Sequence, residues 1–163
     1  MVATVQIVEK NGAGGTPTDK TSGTIRFKNA DDATVDTNDP MVIPGSGTDY
    51  SFEKWLRLNV TVAPDTNISN LKVYTDGANG FGTGVGMHWK AVTAYSTPAE
   101  ATATTGYTDA FTYTSGSALS LGAGPYTGTG EKGDHLVAIM TVADTATQGS
   151  LTAETVTFSY DEI

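Results

Sequence analysis

No cysteine occurs in the 163-residue chain, which excludes a disulfide framework, a thiolate metal site and a cysteine nucleophile. Bases are scarce as well: nine Lys and Arg against eighteen acids leave a formal charge of −9, and the nine are strewn singly. A nucleic-acid binder needs a basic patch to displace counterions from phosphates, so this balance argues against one. No apolar run approaches membrane-spanning length, and no membrane association is expected. Met1 to Lys10 lacks a basic start and a long apolar core, so a signal peptide is not expected either. There are two histidines, His88 and His135, without the spacing of a zinc or catalytic pair. No Gly-x-Ser-x-Gly elbow is present, and no carboxylate pair stands out from the eighteen acids. The expectation is therefore a protein that is not an enzyme and needs no cofactor and no metal.

What the chain does have is threonine, 28 residues of it, and 19 glycines. Threonine is β-branched with a polar tip and suits the solvent face of a strand, while glycine in such numbers suits many tight turns. The longest pattern is Tyr50–Val62. Its even positions Tyr50, Phe52, Leu56, Leu58, Val60 and Val62 are apolar, with Lys54 the exception. Its odd positions are polar, with Trp55 the exception. A period of two over thirteen residues predicts one long strand with a buried face and a wet face, Leu58 on the first and Arg57 on the second. Further strands are expected at 2–10, 22–28 (Ile25 and Phe27 inward, Lys28 outward), 41–43, 70–75, 85–95, 135–142 and 154–160. Residues 11–18 read as a loop, and 96–130 as a long loop-rich excursion with possible short strands at 109–114 and 117–121. His135–Val142 is apolar on both faces, the mark of a central strand covered twice. The sum is a single all-β domain spanning 1–163, an antiparallel β-sandwich of about eight strands, jelly-roll-like or immunoglobulin-like in order.

Three loops invite chemistry and hold little. Gly80–Gly86 has glycines at alternate positions and precedes a strand, so no helix N-terminus waits for a phosphate; a turn or bulge is expected. Asp31, Asp32, Asp36, Asn38 and Asp39 offer hard oxygen ligands without the calcium-loop spacing, and read as a solvated loop before they read as a cation site. Asn59-Val-Thr61 and Asn67-Ile-Ser69 match glycosylation sequons by chance.

The aromatics carry the functional reading. Trp89 is in register with Val85 and Met87 and belongs to the core. Trp55 and Tyr74 fall on the nominally wet faces of their strands, where an indole or phenol must be covered by a loop of the same chain, by another protein, or by a sugar. Tyr160 lies on the closing strand, whose edge is suited to pair with another chain. Trp55, Tyr74 and Tyr160 are the candidate protein interface.

Tyr50–Leu58, then Asn70–Gly77, then the closing Leu151–Glu162, in a short cysteine-free, acidic, Thr/Gly-rich chain, resembles head decoration (cement) and auxiliary capsid proteins of tailed bacteriophages. The resemblance is one of style over most of the chain, with no signature motif. It implies a β-sandwich on the outer capsid surface, a virion location, the major capsid protein or another virion protein as partner, and a trimer as the favoured homo-oligomer. There it would clamp neighbouring subunits, multiplying modest contacts through effective concentration. A tail or fibre role, or a carbohydrate-binding module, is the alternative.

Overall fold

The computed structural model describes residues 1–163, built almost wholly from antiparallel strands. In chain order these are β1 (Thr4–Asn11), β2 (Thr16–Asp19), β3 (Thr48–Tyr50), β4 (Lys54–Val62), β5 (Ile68–Tyr74), β6 (Val85–Val92), β7 (Thr108–Asp109), β8 (Leu119–Gly122), β9 (Gly130–Ala143) and β10 (Thr157–Glu162). A seven-stranded sheet runs β2-β1-β4-β9-β6-β7, with β3 also on β9, and a three-stranded sheet runs β10-β5-β8. The all-β sandwich expected from the alternation is what forms, with ten strands where about eight were expected. Its sheets are unequal, whereas a jelly roll divides eight strands between two.

The axis of the large sheet is β9, and its sequence dictates that place. Leu136 and Ala138 point into the core between the sheets, while Val137 and Ile139 point the other way, and both of those are fully buried too. Each flank is paired, β4 and β3 along one side and β6 along the other. The small sheet supplies Ile68, Leu71, Val73 and Leu121 to the same core as Leu56, Leu58, Val60, Met87 and Trp89. Within β5 the buried residues are spaced by three between Ile68 and Leu71, because Asn70 takes φ +52° and makes a bulge. Asparagine tolerates that left-handed backbone better than most side chains.

A second bulge corrects the reading of Tyr50–Val62 as one strand. Tyr50 pairs with Thr141 and Lys54 with Ala138, so the three residues 51–53 face the two residues 139–140. The extra residue reverses the phase. Tyr50 lies with Thr141 on the outer face, whereas Leu56, opposite Leu136, lies in the core. Ser51 seals the bulge, its amide donating to Met140 O and its hydroxyl accepting from Met140 N, both at 3.0 Å. Val62, at the far end of the pattern, is 38% exposed.

Other expectations also change. Residues 22–28 form no strand; the chain runs irregularly there, although Ile25 and Phe27 still pack on the core. Lys28, expected outward, is fully buried. The loop expected at 11–18 is instead the turn and return strand of a hairpin, β1 to β2, with Asn11 paired to Thr16. Residues 41–43 are irregular as well. The 96–130 stretch is loop-rich but contributes β7, a turn of 3-10 helix at Ala110–Thr112, and β8. No helix is long and apolar enough to cross a membrane.

Candidate interaction surfaces

Trp55 is 3% exposed, so of its possible covers the structure uses the chain itself. It stands on the outer face of the large sheet, beneath the segment that leaves β6. Tyr95 meets it edge-on at 5.3 Å between ring centres, and His135 at 5.4 Å. Its Nε1 donates to Glu53 Oε2 at 2.9 Å. Glu53 is the knot of this face, because its other oxygen accepts from Lys90 Nζ at 3.0 Å and from the Tyr107 hydroxyl at 2.5 Å. Burial alone would raise the Glu53 carboxyl, and donation from Tyr107, Trp55 and Lys90 outweighs it, holding the group below the usual range. Burial, and then the bond to Glu53, push the Tyr107 phenol up. Backbone bonds from Glu53 N to Ala99 O at 3.0 Å and from Ala101 N to Ser51 O at 3.1 Å anchor the covering segment. This is what makes β9 doubly covered: the small sheet lies on one face and residues 93–107 on the other.

Tyr74 is half-buried at the end of β5. Val73 beside it points into the core, so Tyr74 points to the outer face of the small sheet. It rims a shallow depression of about 190 Å³ with Thr75, Asp76, Thr114, Ser115, Thr155 and Thr157. Tyr160 is half-buried and packs against the core cluster with Val156 and Phe158. The three candidate residues therefore do not form one surface: Trp55 and Tyr74 lie on opposite outer faces, and Tyr160 lies between the sheets. What Tyr160 marks is its strand. β10 pairs only with β5, so its other edge carries backbone groups with no partner in the chain.

The acidic segment is committed inward. Lys28 Nζ lies 2.7 Å from Asp32 Oδ2 and 2.9 Å from Asp36 Oδ1, and these bonds raise its pKa. The same contacts hold both carboxyls well below the ordinary 3.8. Asp31 accepts from Asn11 Nδ2 and from Gly12 N, each at 2.7 Å. The cation that Asp32 and Asp36 gather around is thus a lysine of the same chain. Nearby, Lys54 Nζ reaches Glu9 Oε1 at 3.0 Å, with Lys20 Nζ 3.7 Å from the other oxygen. Both Glu9 and Lys54 are essentially unexposed. The buried lysines were missed from sequence, although Lys54 standing in an apolar register was the available signal.

His88 and His135 sit on neighbouring strands, paired with Ile139 and Val92 respectively. No group of three or more His, Asp or Glu side chains is arranged to hold a metal ion. No protein-family model matches the chain, and no curated protein or solved structure matches it.

Proposed function

We propose that this is a non-enzymatic structural protein of a tailed-phage virion, one that binds the outer capsid surface and stabilises the shell by touching neighbouring subunits. The observation that carries the reading is where the molecule keeps its unused contact capacity. It lies on rims: the unpaired edge of β10, and the irregular 30–47 segment, where Val35, Val42 and Ile43 are 50%, 53% and 40% exposed. Beneath those rims the fold is locked by buried charge and by a twice-covered central strand, as suits a rigid clamp. An acidic outer skin is tolerable on the outside of a shell and unfavourable beside packaged DNA. The major capsid protein is the proposed partner, and a trimer the proposed form on the lattice.

The test is to add the purified chain to capsids of a phage that encodes it, after stripping them of it. Co-sedimentation, a raised shell-disruption temperature and density on the outer surface by cryo-EM are expected. A chain that stays in the supernatant and leaves the shell unchanged overturns the reading. A second reading, a carbohydrate-binding module, is favoured by the hydroxyl-lined depression beside Tyr74. Glycan-array binding that Tyr74→Ala abolishes, with the fold intact, would select it over the first.

A further inference from the structure

The outer face of the large sheet is closed over Trp55 by a segment whose stretch between β6 and the buried Pro98 holds on through Tyr95. From the end of β6 at Val92 to Ala99, residues 93–98 make no backbone hydrogen bond to the sheet. Thr93, Ala94, Ser96 and Thr97 are exposed. Tyr95 ties down residues 93–97, its hydroxyl donating to Gly12 O at 2.6 Å, its ring packing on Trp55 and lying 5.1 Å from Lys10 Nζ; the buried Pro98 anchors the far end. Under Tyr95 lies His135, 1% exposed, with 5.8 Å between the two ring centres.

The protonation of that ring is fixed by its neighbours. Nδ1 lies 3.2 Å from Val92 O, which assigns the hydrogen to Nδ1 and leaves Nε2 a bare lone pair. Nε2 is buried and has no partner. The charged groups around it are Arg57 from β4, Lys10 from β1 and Glu131 from β9. Glu131, the one acid among them, is already held by Arg57 at 3.1 Å and by Lys10 at 2.9 Å. The covering segment adds only Tyr95, whose hydroxyl is engaged by Gly12, and β6 adds only the Val92 carbonyl. A second proton on this ring would therefore be buried beside two cations, with no acceptor.

We propose that Tyr95 is an acid-released latch: proton uptake at His135 Nε2 frees residues 93–97 from the sheet and uncovers Trp55. Burial first, and then the Arg57 charge, hold the latched ring below the ordinary 6.5. Lifting Tyr95 admits water and returns it toward about 6.5. The open form binds the proton more readily, so opening grows as pH falls below about 6.5, by up to about tenfold per pH unit until the latched ring is protonated too.

Acrylamide quenching of tryptophan fluorescence, followed from about pH 8 to about pH 5, reads the latch through Trp55. Trp89 is 1% exposed in the core and stays shielded. The wild-type chain should become more quenchable as pH falls while its far-UV circular dichroism is unchanged. Tyr95→Ala should be quenchable at every pH, and His135→Gln should lose the pH dependence. Lys10→Met frees Glu131 to face His135 and should shrink the acid response; Lys10 Nζ also lies 5.1 Å from the Tyr95 ring centre, and a merely structural lysine would raise quenching equally at every pH instead. A flat wild-type profile, an equal rise in His135→Gln, or a rise that coincides with global unfolding overturns the proposal.

Discussion

The core face of the large sheet is covered in two ways, and the two ends of that face differ in what they bury. At one end the small sheet lies over it, and the contact is apolar, Leu58 and Val60 against Ile68, Leu71 and Val73. At the other end the irregular 20–47 segment lies over it; Ile25 and Phe27 touch the apolar core, but the rest of the contact is ionic, with Glu9, Lys20, Lys28 and Lys54 all buried. The difference follows from the backbone. A strand's amides and carbonyls are satisfied by the ladder, so its side chains are free to be oily. An irregular segment brings carbonyls with no ladder partner, and burying those unpaired is costly. Here lysine ammoniums answer them: Lys20 Nζ donates to Thr24 O at 3.1 Å and Ala33 O at 2.6 Å, and Lys54 Nζ to Asp32 O at 2.6 Å. Three donors on a flexible stem suit an irregular cover better than any apolar side chain.

If that account is right, the ionic end is the more fragile to single substitutions. Lys54→Met strips Glu9 of its nearest cation and Asp32 O of its donor, and should cost about 3–5 kcal/mol by urea unfolding. The double variant Glu9→Leu with Lys54→Met should recover part of that loss, because the stranded carboxylate is gone while the buried Lys20 keeps only its carbonyl acceptors Thr24 O and Ala33 O. Equal costs for the single and double variants would mean that the pair itself, and not the stranded charge, matters.

The apolar end should respond next. Leu58→Ala removes a 2%-exposed side chain and should cost about 2–5 kcal/mol. A wet-face position by itself would make Arg57→Ala cost little. Its guanidinium in fact donates twice to Gly133 O, at 2.9 and 2.5 Å, and once to Glu131, so about 1–2 kcal/mol is now expected. Matching costs at the two positions would contradict the face assignment.

These cases mark how far the sequence could be read. Period-two alternation located β1, β4, β5 and β6, where core and outer positions alternate, and the double apolar run at 135–142 marked β9 as the central strand. What alternation cannot register is a bulge. Residues 51–53 keep a plausible rhythm while the phase reverses beneath them, and Ile25 and Phe27 alternate inward without any ladder. Nor does a wet-face position say what lies above it. Trp55 was correctly singled out as needing a cover, but Tyr95 and His135 are 40 and 80 positions away along the chain, and only folding brings them over it. The acidic cluster was legible as a cluster; that its counter-ion was Lys28 depended on the irregular path of 20–36.

Acid should separate the two ends without any mutation. Asp32 and Asp36 are depressed below 3.8, chiefly by donation from Lys28, so the stability they lend is fully present above that value. It drains as pH falls further toward the folded-state values, because the unfolded chain then binds more protons. Amide exchange measured between about pH 5 and about pH 2 should show residues 28–39 loosening before β4, β5 and β9. Simultaneous loosening everywhere would dissolve the distinction between the two covers.

The smallest effect on stability is expected at Tyr74, and its smallness is the point. The residue is half-buried on the outer face of the short sheet, where truncation leaves no enclosed cavity, so Tyr74→Ala should move the unfolding free energy by no more than about 1 kcal/mol. Phenols that a fold does not need are those a partner can use, since a two-torsion ring offers a large contact area at low entropic cost. Capsid or glycan binding that falls at least tenfold in Tyr74→Ala while the urea midpoint holds would place a contact on this face. Unchanged binding to both would leave the free edge of β10 and the 30–47 rim as the surfaces through which the proposed clamp acts.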